Sequence, residues 1–136
     1  MRQSLIPVLA SVLLTLASCQ KEVFTPAEYG LEGVWQLSHR QCFCASAPLP
    51  NERVVFAANR FAFYKDNQLG QQGEFLITTA ASSCFPSGAT APALRFTFPP
   101  TRMADREVQY RLDGNTLTLD YGGPCDAPVD TYVRLQ

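Results

Sequence analysis

The residue types in this chain that could do chemistry are five cysteines, one histidine and a late pair of aspartates. Zinc is the first chemistry to test, yet Cys42-x-Cys44 followed by the isolated Cys84 and Cys125 lacks paired C-x-x-C spacing, and His39 is the only imidazole. No metal site is expected. Nucleophilic or acid–base catalysis would need a motif such as G-x-S-x-G or a carboxylate pair at telling spacing, and neither occurs. The chain therefore reads as a non-enzyme with no catalytic residue and no cofactor. His39, beside Arg40 at a strand end, is an ordinary surface position. Asp126 and Asp130 near Gly122-Gly123 suggest calcium, but the spacing fits no loop rule and fewer than the roughly six to eight oxygens calcium takes can be identified. They read as turn residues.

Composition narrows the classes further. Eleven basic against 12 acidic residues, a net charge of −1, create no field that would draw nucleic acid or an anionic membrane surface. At 46% hydrophobic and 11% aromatic the chain is too apolar for disorder, while 8 Gly and 10 Pro are too many breakers for a helical bundle. At 136 residues, one small turn-rich domain is expected.

The N-terminus carries an address. Arg2 precedes an apolar run from Leu5 to Leu16, which is shorter than the roughly 20 residues a spanning helix needs. With the small residues Ala17 and Ser18 after it, this is a signal peptide over 1–18. The tetrad Leu16-Ala17-Ser18-Cys19 resembles the lipobox of bacterial lipoproteins, which implies cleavage before Cys19 and acylation of that cysteine with palmitate-type chains. Each buried methylene adds about 0.8 kcal/mol of membrane affinity, so such an anchor holds without a transmembrane helix. Gln20 is not the Asp that retains enteric lipoproteins at the inner membrane, so the resemblance implies the outer membrane. Gln20-Lys21-Glu22 partly resembles a short surface-display signal, which leaves the periplasmic face and the cell surface both open. Residues 19–30 are then the lipidated cysteine and its polar tether.

With Cys19 lipidated, Cys42, Cys44, Cys84 and Cys125 form an even set in an oxidising compartment, which reads as two disulfides. On a strand, residues two apart sit about 6.6 Å from each other, whereas a disulfide wants Cβ atoms near 3.8 Å. Cys42 and Cys44 are therefore expected to take distant partners, each closing a long loop worth about 4 kcal/mol in the chain-entropy model.

From Leu31 onward short runs alternate apolar and polar between turn signals, with no sustained helical period. The runs are Val34 to Ser38, Arg53 to Phe56, Arg60 to Tyr64, Glu74 to Thr78, Leu94 to Phe98, Glu107 to Leu112, Thr116 to Tyr121 and Asp130 to Leu135. Asp113-Gly114-Asn115 is the strongest hairpin turn. The stretch Ala80 to Ala93, rich in Ala, Ser and Pro, is expected to be a long loop pinned by Cys84. Eight strands joined mostly by short turns predict an all-β fold, a small antiparallel up-and-down barrel over 31–136, with a β-sandwich as the alternative. The barrel interior is assigned to Trp35, Leu37, Phe61, Phe63, Phe75, Phe96, Phe98, Tyr110 and Leu117. Arg53, Arg60, Arg95 and Arg111 fall on the solvent face.

Leu31-x-Gly33-x-Trp35, the Gly114 to Leu117 hairpin and the closing Asp130-Thr131-Tyr132-x-Arg134 strand resemble small lipocalin-like bacterial lipoproteins over most of the mature chain. In lipocalins the Trp packs against an Arg from the end of the barrel, and Arg134 is the candidate, although the strand faces as assigned put Trp35 inward and Arg134 outward. The resemblance implies a binding module that holds a small apolar ligand at the barrel mouth near the Ala80 to Ala93 loop. From Gly30 to Gln136 there are only 107 residues, and an eight-stranded barrel is just wide enough to be filled by side chains. The alternative is a structural or inhibitor-like lipoprotein with a filled core that meets an envelope protein partner.

Overall fold

Alternating aromatic and β-branched residues need a partner strand on each side and one dry face, and a sheet closed on itself supplies both. The computed structural model describes residues 30–82, 84, 88–100 and 103–136; the expected signal peptide, Cys19 and the expected tether from Gln20 to Tyr29 lie outside them. Eight strands follow in chain order: β1 (Gly33–Gln41), β2 (Glu52–Ala57), β3 (Arg60–Lys65), β4 (Gln68–Ala81), β5 (Thr90–Thr97), β6 (Arg106–Asp113), β7 (Thr116–Asp120) and β8 (Val129–Leu135). Each pairs antiparallel with its neighbours in sequence, and β8 pairs back onto β1, so the sheet is a closed barrel and not a sandwich.

Two-residue turns set several registers. Asp66 and Asn67 both adopt left-handed φ, 51° and 63°, between β3 and β4. Gly114, at φ 56°, starts the β6–β7 turn. Ala58 also has positive φ, and its N–H donates to Glu32 Oε1 at 3.0 Å. The expected Ala80 to Ala93 loop is shorter than its composition suggests. β4 and β5 stay paired as far as Ala81↔Thr90, which leaves 82–89 as the connection. Small residues give no apolar alternation there, and Pro92 is tolerated because β5 meets β6 only from Ala93 onward.

Trp35, Leu37, Phe61, Phe75, Phe96, Phe98 and Leu117 are buried, and Phe63 and Tyr110 are partly buried against the same core. Leu31, Val54, Phe56, Leu94, Val108, Leu119 and Tyr132 complete it. The rings meet edge to face, Phe61 with Phe96 at 4.6 Å and Phe56 with Phe75 at 5.0 Å, the arrangement favoured by the aromatic quadrupole.

One end of the barrel is capped. Trp35 Nε1–H donates to the Leu31 carbonyl at 2.8 Å, and the Arg134 guanidinium lies 4.1 Å from the Trp35 ring centre. Arg134 also donates to the carbonyls of Gly30 and Glu32. The outward assignment of Arg134 is thus corrected: it stands directly opposite Trp35 in the β1–β8 ladder, and opposed residues share a face. Gly33 makes room for the cap, since a Cβ there would stand 2.7 Å from Arg134 Nη1 and its φ is 133°.

Both disulfides form, but with a different pairing from the one expected. β1 ends at Gln41, and a bend at Phe43 and Cys44 brings the Cα atoms of Cys42 and Cys44 to 5.2 Å, so the strand spacing does not apply. Cys84 joins Cys125, Cα to Cα 5.7 Å, in a one-turn 3-10 helix (Gly123–Cys125) that follows β7. Peptide mapping should recover these two links. Removing the Cys84–Cys125 bridge, which closes 41 residues, should cost about 4 kcal/mol in urea denaturation, and removing Cys42–Cys44 far less, because so short a loop constrains the unfolded chain little.

Candidate functional site

Opposite the Trp35–Arg134 cap the barrel opens into a cavity of about 770 Å³. Its rim comes from the end of β1 with Cys42, Phe43 and Cys44, from the β3–β4 turn region, and from Asp126 to Pro128 ahead of β8. Asp120 Oδ1 accepts from the N–H groups of Gly122 and Gly123 at 2.8 and 2.7 Å, and their carbonyls in turn accept from the N–H groups of Ala127 and Asp126 at 3.2 and 3.1 Å. None of the described residues of 80–93 lines the cavity, although Cys84 is joined to Cys125, next to the lining segment Asp126 to Pro128.

The floor is polar. Asp130, 2% exposed, is held by Arg40, whose Nε donates to Oδ1 and Nη2 to Oδ2, each at 2.7 Å. The same Nη2 reaches Glu52 Oε2 at 2.9 Å, and Tyr132 O–H donates to Asp130 Oδ2 at 3.4 Å. The Asp130 hydrogen bond raises the Arg40 guanidinium above its ordinary value against the opposing effect of burial, so it stays charged. Burial pushes the Tyr121 phenol up to about 12, with nearby Arg106 pulling the other way, and burial pushes Tyr132 upward too. Both phenols are neutral at physiological pH. Arg106, at the start of β6, lies 4.9 Å from the Tyr121 ring centre and 5.8 Å from that of Phe98.

Of the residues assigned from sequence, Phe63, Cys42 and Cys44 line the cavity, while Trp35, Phe61 and Phe75 lie in the packed core beneath it. Arg40, Glu52, Arg106, Tyr121 and Tyr132 went unassigned, and Asp130 was read as a turn residue. The signal was present in Asp130-Thr131-Tyr132-Val133-Arg134, where alternation puts one carboxylate, one phenol and one guanidinium on a single face. His39 is exposed, and no cluster of three or more His, Cys, Asp or Glu among the described residues could hold a metal. Among them, too, no helix is long and apolar enough to cross a membrane. Arg60, Arg95 and Arg111 are exposed, Arg95 pairing with Glu107, and Arg53 is half-buried over Tyr64 at 4.8 Å. The chain matches no family model, no curated protein and no solved structure.

Two measurements test this geometry. Arg40→Met strands a buried carboxylate and should cost about 3 kcal/mol in urea denaturation, whereas Arg40→Met with Asp130→Leu should recover most of it, since removing both charges also removes the desolvation penalty. A phenol whose folded value is raised ionises first in the unfolded chain, so stability should be level up to the ordinary tyrosine value of 10.0 and decline as pH climbs toward 12. Phenolate absorbance of Tyr121 and Tyr132 should then appear only together with loss of the folded circular dichroism signal.

Proposed function

We propose that this chain is a lipid-anchored cell-envelope lipoprotein whose lipocalin-like barrel is a binding module for a small, largely apolar molecule. The observation that carries this reading is the cavity of about 770 Å³ at the uncapped end, within the usual range for small-molecule sites. Its wall is aromatic, from Phe43, Phe63, Tyr64 and Tyr121, and its floor carries polar groups that fix orientation. The Arg40–Glu52–Asp130 cluster is engaged with itself, which suits a scaffold better than a reacting group. The lipobox-like Leu16 to Cys19 supports the anchor. Gly30 and Leu31 join the barrel at its capped end, opposite the mouth. The alternative of a filled, structural or inhibitor-like barrel is weakened by the cavity.

Native mass spectrometry of residues 20–136 secreted to the periplasm tests the reading. The expected species is four hydrogens lighter than the reduced chain and carries a co-purified small molecule. A protein that stays bare after several lipid extracts are offered would turn the search toward protein partners.

A further inference from the structure

Arg106 lines the uncapped cavity, and the protein leaves one polar atom of its guanidinium unsatisfied. Among the described residues, Arg106 Nε is the buried side-chain nitrogen or oxygen atom without a hydrogen-bond partner. A buried donor left unpaired costs much of its desolvation, so such an atom calls for an acceptor. The other charges on the floor do not supply it. Arg40 occupies both oxygens of Asp130 and one of Glu52, and the remaining ion pair among the described residues joins Arg95 to Glu107 on the outer face. Arg106 also lines the cavity, with Tyr121 and Phe98 flanking its guanidinium plane and limiting where the fork can turn.

The geometry points to Arg106 as the headgroup site of the cavity, selecting an amphiphile that ends in a carboxylate. A guanidinium presents donors in a planar fork that matches two carboxylate oxygens, and charge-assisted bonds of this kind are about twice as strong as neutral ones. The apolar tail of the same molecule would lie against Phe63 and Tyr64, which also line the cavity. Tyr121 and Tyr132, both neutral, add aromatic surface and no repelling charge. This inference rests on the binding-module reading and narrows it from an apolar ligand to an anionic amphiphile.

The test compares decanoate with 1-decanol, equal in chain length and different in charge, by isothermal titration calorimetry on residues 20–136. Among the described residues, all eight strands of the closed barrel and its buried core residues lie within 31–136, which this chain contains. Decanoate should bind one to one and at least tenfold more tightly than decanol, a margin set by one charge-assisted hydrogen bond to a buried donor. Arg106→Gln should bring decanoate down to the decanol level. Arg106→Lys, which keeps the charge and loses the fork, should fall between. Equal binding of the two ligands by the unmodified protein, or a decanoate affinity indifferent to Arg106→Gln, would overturn the headgroup site and leave the binding module standing. Binding of neither ligand would overturn both. The comparison within the unmodified protein keeps the test decisive even where a variant folds poorly.

Discussion

Strand β8 turns a carboxylate, a phenol and a guanidinium into the barrel, and the sheet closes only because β1 answers each of them. The register sets Asp130 opposite Arg40, Tyr132 opposite Leu37 and Arg134 opposite Trp35. An aspartate at 2% exposure without a counter-ion would cost several kcal/mol, enough to remove much of a small domain's stability. A one-residue slip of this seam would turn the three side chains outward and bring Val133 and Leu135, now exposed, inside, while leaving Arg40 and Trp35 without partners. The polar face of β8 therefore fixes the register as firmly as an apolar one would, and closure of the barrel depends on it.

The two ends of the barrel are held by different means. At the capped end Trp35, Leu31 and Arg134 form a stack with hydrogen bonds to three backbone carbonyls, and the aromatic core rises from it through Phe56, Phe75, Phe61 and Phe96. Gly33 matters there because any side chain would displace Arg134. Toward the mouth the packing gives way to ion pairs and phenols. Asp130 can be buried at that level, beside the half-buried Arg40 and Glu52, because each ionic bond lies between 2.7 and 2.9 Å and Tyr132 supplies a further donor. Hydrophobic contact stabilises one end of the barrel and directional polar contact shapes the other.

Much of the fold was legible in sequence because strand alternation and turn chemistry are local. All eight runs became strands, and the turn expected at Asp113-Gly114-Asn115 forms with Gly114 at positive φ. What escaped depends on contacts distant in sequence or on small residues. Thr78 to Ala81 and Thr90 to Ala93 carry no apolar pattern, so their pairing shows only once the rest of β4 and β5 is aligned. Arg134 was assigned outward, although it shares a face with Tyr132 and stands opposite Trp35 across the seam. The Cys42–Cys44 bridge depends on where β1 stops, and a boundary is the least legible feature of any strand. The site was the least readable part, since Arg40, Glu52, Arg106 and Asp130 come from four different strands and mean nothing until the barrel sets them around one cavity.

The placement of the cross-links follows from the same asymmetry. Cys42 and Cys44 line the cavity, and Cys125 immediately precedes Asp126 to Pro128, which line it too. Both bridges thus stiffen segments at the mouth, where the aromatic core does not reach, and neither supports the capped end, which has its own stack. Ordering a loop on binding costs roughly 0.5 to 1.5 kcal/mol for each side chain immobilised, and a rim already fixed by covalent links avoids much of that cost. Phe43, 85% exposed within the Cys42–Cys44 ring, is the clearest case: a large apolar side chain held at the entrance by its neighbours' bond rather than by burial.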